Sequence, residues 1–189
     1  MTGMVNGVDL DRLAGNIETI EQDSDMASFR FRATNRWDNG GHNETVIHDF
    51  YGAGQDITHK QDFHIEADEP ELLLGDDQGA NPVELVLAAL ASCLTTAMVY
   101  HAAARGITIR AVESELEGDI DLRGFLGLND KVRNGYKNVT VSFRIDADTD
   151  QATIDELVEM AKSRSPVFDI VSNPVDIRVK GAPMTVSMH

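Results

Sequence analysis

One cysteine occurs in the 189 residues, within Ala91-Ser92-Cys93-Leu94-Thr95-Thr96-Ala97-Met98, the most apolar part of the chain. A thiol attacks only as its thiolate. On a helix the neighbours of Cys93 at three and four residues are Ala89, Leu90, Thr96 and Ala97, none of them charged. Redox or nucleophilic work at Cys93 therefore needs a cation delivered from another segment. Without one, a lone cysteine in an alanine-rich helix is a small hydrophobe filling a core. The six histidines, His42, His48, His59, His64, His101 and His189, show no metal-ligand spacing. Asp68/Glu69 and Asp76/Asp77 read as a solvated acidic loop rather than a cation site. Gly52-Ala53-Gly54-Gln55 lacks the third glycine and the helix of a dinucleotide loop. Neither a metal nor a cofactor is expected.

The elements that must position Cys93 follow from periodicity and punctuation. Asn81 and Pro82 suit a helix start, with Glu84 near the positive end of the dipole, and Gly106 suits its stop. The helix between them carries twenty uncharged residues from Leu85 to Ala104. It is long enough for a bilayer, but rich in Ala, Ser and Thr, so a buried central helix is the expectation. Before it, an amphipathic helix from Val8 to about Glu21 forms an N-terminal arm. Strands are expected over Ser28–Trp37 and Glu44–Phe50, joined at Gly40-Gly41, and again around Lys60–Asp68. After it come strand-like Ile107–Leu122, a strand at Lys137–Asp146, an amphipathic helix at Asp150–Lys162, a short helix, and a closing strand at Val175–Gly181. This order is α+β.

Composition narrows the function. A net charge of −16 repels phosphates, which excludes nucleic acid and anionic membranes as partners. The 20 Asp against 5 Lys resemble surfaces of proteins from a high-salt cytoplasm. One cysteine allows no internal disulfide. The N-terminus lacks the basic and apolar regions of a signal peptide, so a cytoplasmic location is expected.

The segments GANPVELVLAALASCLTTAMVYHAAARGI, preceded by DEP, and EGDIDLRGFLGL, VRNGYKNVTVSFRID and SPVFDIVSNPVDI resemble the OsmC/Ohr family, in particular its OsmC-like branch. The resemblance runs from about Phe29 to Lys180. It implies an OsmC-like fold of curved antiparallel sheets around long buried central helices, in an intertwined homodimer. Residues 26–182 would form that domain, 1–25 the helical arm and 183–189 a tail. The family's best-known members reduce organic hydroperoxides, with electrons from dithiols such as lipoyl groups. Their attacking cysteine falls at Cys93. Their resolving cysteine falls at Ser165, in Ser165-Pro166-Val167, so the two-cysteine cycle is absent. Their glutamate directly follows Asn-Pro, where this chain has Val83, with Glu84 one residue later. Nine residues at about 100° each set Glu84 roughly opposite Cys93 on the helix. Their thiolate-stabilising arginine, from the first hairpin, corresponds to Arg36, with Arg30 and Arg32 nearby.

The resemblance thus implies Cys93, Arg36 and Glu84 as catalytic candidates and an external thiol reductant as resolver. The substrate would be a small organic hydroperoxide or another small ligand. The alternative is a non-enzymatic ligand-binding or stress-protection protein that keeps the scaffold and lacks peroxidase activity, because Ser165 replaces the second thiol. Trp37 and Phe63 are core or interface residues, or they line the cleft beside the cysteine.

Overall fold

The chain begins with a small ribbon, β1 (Met4–Val5) and β2 (Val8–Asp9), that leads into α1 (Leu10–Gln22). The computed structural model describes residues 3–183. Asp9 caps α1 by accepting from the Arg12 amide at 3.0 Å. Asn6 ties the arm to the body: its side chain donates to the Ile107 carbonyl (2.9 Å) and accepts from the Ile109 amide (2.8 Å). Leu10 alone of the α1 stripe is buried, while Ile17 and Ile20 remain exposed.

Four strands follow: β3 (Arg30–Phe31), β4 (Thr34–Asn39), β5 (His42–Gly52) and β6 (Gln55–Ala67). The other three pair antiparallel with β5, β6 along one edge and β3 and β4 along separate stretches of the other. The strand expected over Ser28–Trp37 is thus split at Arg32, whose guanidinium bridges Asp49 (3.2 Å) and Asp56 (2.8 Å). Ala53 and Gly54 both take positive φ (49° and 78°), as the centre of a tight hairpin turn requires. The Gly52–Gln55 stretch therefore closes β5 onto β6 as a hairpin turn.

The central helix α2 (Pro82–Ala104) has the start and stop foreseen, with a capping box between Asn81 and Glu84 and Gly106 at φ 71°. Beyond it β7 (Ile109–Asp119), a single-turn α3 (Leu122–Phe125) and β8 (Asn138–Ala147) form an antiparallel pair with an intervening loop. Then come α4 (Gln151–Arg164) and α5 (Pro166–Ser172), capped by Asp150 and Ser165. The core is where α2 meets α4: Met98, Ala102, Leu157 and Ala161 are fully buried. Ala102 and Ala161 let the two backbones approach, and Ile109, Val112, Phe143 and Ile145 roof the contact. The architecture is α+β.

Two features depart from the sequence reading. The closing strand at Val175–Gly181 does not form: 173–183 carry no regular structure, and Val175, Ile177 and Val179 are exposed. The alternation is there, but a strand exists only with a ladder partner, and the single chain supplies none. Second, α2 is buried along one stripe, Leu90, Leu94, Met98 and Ala102, four residues apart, joined by Ala103 at its C-terminal end. Its other side, with Val86, Ala89, Ser92, Thr96 and Tyr100, is bare. The helix is long and apolar enough to cross a bilayer by length and composition, yet it packs on α4, α5 and β7 as the centre of the fold. The chain exposes 14094 Å², whereas a compact monomer of its 20.7 kDa exposes about 8,900 Å².

Candidate functional site

Cys93 lies one residue off the buried stripe of α2, between buried Leu90 and Leu94 on one flank and exposed Ala89, Ser92 and Thr96 on the other. The thiol is half-buried and free. It is neither sealed in hydrocarbon nor fully open. Ser92, its neighbour, turns its hydroxyl back to the Ala88 carbonyl (2.9 Å) and offers the sulfur nothing.

One turn before Cys93 a cavity of about 510 Å³ opens beside α2. Val86, Leu87 and Leu90 form one wall, Phe168 and Val171 of α5 another, with Tyr136 and Arg133 at its polar side. This volume and apolar lining suit a small organic molecule. Tyr136 is fixed from both sides. Its hydroxyl donates to the Val83 carbonyl at 2.8 Å, and its ring lies over Gly118, where a Cβ would come within 2.6 Å of it. Burial, with Glu84 nearby, pushes the Tyr136 hydroxyl above the ordinary tyrosine range, so it stays a donor. Trp37 and Phe63 do not line this cavity.

Ser165, in the place of the resolving thiol, is a buried N-cap. It is 3% exposed, and its oxygen accepts from the Phe168 amide at 3.1 Å. The side chain thereby holds the start of α5 and orients Phe168 into the cavity wall.

Glu84 is occupied at the helix start, accepting from the Asn81 amide at 2.9 Å. Nine residues of helix put it about 13 Å along the axis from Cys93. The preceding loop is ordered rather than merely solvated. Asp68 is 1% exposed and accepts from the amides of Glu69 (2.8 Å), Asp76 (3.1 Å) and Gln78 (3.2 Å). Burial works to raise its pKa, but these three donors and His42 outweigh it and hold the carboxyl below the ordinary range. Glu69 in turn accepts from the Asn81 side chain at 2.5 Å, so this loop fastens β6 to the cap of α2.

Arg36 stands on β4, exposed, opposite Glu44 of β5. β4 and α2 make no extensive contact within the chain, and among the described residues no hydrogen bond or ion pair joins Cys93, Arg36 and Glu84. Of the three hairpin arginines, Arg32 is taken by Asp49 and Asp56, whereas Arg30 and Arg36 have no ion-pair partner among the described residues.

Around Arg36 runs a ladder of histidine–carboxylate pairs. His42 contacts Glu66 (2.8 Å) and Asp38 (3.3 Å), His64 contacts Glu44 (2.6 Å), and His48 contacts Asp62 (2.5 Å). Each imidazole is raised above the usual histidine value, chiefly by its hydrogen bond to Asp38, Glu44 or Asp62 respectively. Counting histidines for metal spacing misses this ladder. Its signal is the alternation His42, Glu44, His48 on one strand and Asp62, His64, Glu66 on the strand after it. Among the described residues no cluster fit to hold a metal ion occurs.

A family model described as OsmC-like protein matches residues 75–180. Solved structures share the fold. An OsmC-like protein from Mycoplasma pneumoniae matches with a TM-score of 0.59 at 17% identity, over 77% of this chain and 89% of that one. A putative osmotic stress induced and detoxification response protein from Psychrobacter arcticus matches at 0.55 and 18%, over 72% and 85%. An organic hydroperoxide resistance protein OsmC from Legionella pneumophila matches at 0.53 and 21%, over 77% and 91%. No curated protein matches the chain. With more than half its length matched by that model and its architecture shared by these structures, the chain belongs to the OsmC family.

Proposed function

We propose that the protein is a cytoplasmic homodimer that reduces small organic hydroperoxides through Cys93 alone. The observation that carries this reading is the placement of Cys93, half-buried at the border of the core stripe and one turn from the apolar cavity. The thiolate attacks the distal peroxide oxygen. The O–O bond breaks, and the electron pair leaves with the alkoxide, which takes up a proton as the alcohol. Cys93 is left as sulfenic acid. An external thiol condenses with it, releasing water and forming a mixed disulfide, and a second thiol then regenerates Cys93. The two electrons come from the external thiols, because Ser165 cannot form a disulfide.

Arg36 supplies the positive charge for the thiolate across the dimer, a reading supported by the lack of extensive β4–α2 contact within one chain. Glu84 acts at one remove, through the cap of α2 and the Tyr136 wall. The bare side of α2 and the surface excess of about 5,000 Å² over a compact monomer support a second copy as the cover.

Titration with cumene hydroperoxide, followed by intact mass and residual thiol, tests the chemistry. Wild type is expected to gain one oxygen and lose its thiol; Cys93→Ala gains none. A Cys93 thiol that survives as long as a free cysteine control removes the peroxidase reading. The second reading, a ligand-binding protein without turnover, then stands. It is favoured by Ser165, which is built in as a buried cap.

A further inference from the structure

Register sets Arg36 directly across from Glu44, a spacing at which opposite charges pair readily. Asp38 follows two residues along the same strand. Neither carboxylate is on Arg36. Glu44 is held by His64 and Asp38 by His42, which also grips Glu66. With a carboxylate at each ring nitrogen, His42 can donate to both only in its doubly protonated, cationic form. Among the described residues the guanidinium of Arg36 is left without an ion-pair partner.

The charged groups around His64 are Arg36 and Asp38 on β4, His42, Glu44 and His48 on β5, and Asp62 and Glu66 on β6. No helix of the same chain forms a packed pair with these strands. With the three histidines protonated, four cations balance four carboxylates. With them neutral, Arg36 is the one cation left among Asp38, Glu44, Asp62 and Glu66.

We propose that His64 is a positioning residue: by holding Glu44 it keeps Arg36 unpaired and available to the Cys93 thiolate, and loss of its proton hands Glu44 to Arg36. The inference rests on the role given to Arg36 above. It adds a proton-dependent gate, located 28 residues along the chain from that arginine and acting through Glu44. In the direction of the gate, the raised pKa of His64 extends the open state above the range of an ordinary histidine.

The rate of Cys93 alkylation by iodoacetamide, followed in the full-length protein from about pH 6.5 to 8.5, reads thiolate supply. His64→Gln still donates a hydrogen bond to Glu44 but carries no charge. It is expected to slow alkylation roughly tenfold at about pH 6.5, equivalent to one unit in the thiol pKa. Glu44→Gln is expected to match or exceed wild type and to abolish the loss of support at high pH. The double variant His64→Gln/Glu44→Gln is expected to recover the Glu44→Gln rate. A His64→Gln protein that alkylates like wild type, while Arg36→Met is slowed, overturns the gate and leaves the role of Arg36 standing. If Arg36→Met is as fast as wild type, the role of Arg36 fails and the gate with it. In the wild-type protein the Arg36 Nε–H resonance is expected to shift with the His64 titration. A resonance indifferent to that titration overturns the gate without any substitution.

Discussion

The half of the molecule built on α2, β7, β8, α4 and α5 and the sheet of β3 to β6 hold themselves together in different ways. In the former, Met98, Ala102, Leu157 and Ala161 close a core within the chain. In the latter, strands are joined by their ladders, by histidine–carboxylate pairs and by Arg32, while Phe31, Trp37 and Phe63 lie exposed. One region has folded against itself. The other presents aromatic surface that a single chain does not cover. The candidate chemistry is divided along the same line, with Cys93 in the first region and Arg36 in the second, so a working site requires the two kinds of stabilisation to meet.

The largest effect expected from this contrast is in the core. Leu157→Ala empties a fully buried site between α2 and α4, and is expected to cost about 3 kcal/mol in chemical denaturation, independent of protein concentration. Phe31→Ala, at a residue 76% exposed in one chain, should show its cost chiefly as a stability that depends on concentration. Equal and concentration-independent losses at both positions would break the comparison.

Next in size is the bare side of α2. Tyr100→Glu places a charge there without touching the Met98–Leu157 core. If a second copy covers this side, dimer affinity is expected to fall thirty-fold or more, about 2 kcal/mol. Light scattering across a dilution series measures it. A wild-type protein that stays monomeric at micromolar concentration sinks the dimer before any variant is made.

What the sequence disclosed sorts by the range of the interaction. The α2 start was visible because Asn81, Pro82 and Glu84 act within one turn, and Gly106 stops the helix by its own φ. The Gly40-Gly41 turn was visible for the same reason, whereas the turn at Ala53-Gly54, compared in the sequence only with a nucleotide loop, disclosed its role in closing β5 onto β6 only in the fold. The break at Arg32 depends on Asp49 and Asp56, across the sheet, and was invisible. The strand expected at Val175–Gly181 has the alternation of a strand and no partner in the chain, because pairing is not a property of the segment. Ser165 was recognised as the missing thiol, but its second task as a buried cap emerged only with the Phe168 amide in place. The ladder around Arg36 was hidden because its β5–β6 partners are 14 to 24 residues apart and meet only through the register of those strands.

Ser165→Ala sharpens the same contrast on a smaller scale. It removes one cap and is expected to cost about 1 kcal/mol, while loosening Phe168 and the cavity wall. Ser165→Cys adds the second thiol at this site. Loss of both thiols after one equivalent of hydroperoxide, with no added reductant, would show that the scaffold still brings positions 93 and 165 together.

The smallest expected effect is the dependence of the sheet on pH. His42, His48 and His64 bind protons more tightly in the sheet than in an unfolded chain, because Asp38, Asp62 and Glu44 accept from them. Their contribution is therefore complete below about pH 6.5, the unfolded value, and is lost as pH rises through the raised folded values. In β7 and β8 the pairs are of another kind: Arg110 with Asp146, and Arg144 with Glu113 and Glu115. Asp146 is held below the ordinary carboxyl range by its bond to Arg110, and arginine keeps its charge, so nothing in that pair titrates in the same window. Hydrogen exchange by mass spectrometry, corrected for the intrinsic pH dependence of exchange, should show residues 42–66 losing protection between about pH 6.5 and 8.5 while residues 138–147 keep theirs. Solvent screening at these exposed pairs keeps the change modest. Equal behaviour of the two strand pairs would mean that the imidazoles decorate the sheet without stabilising it.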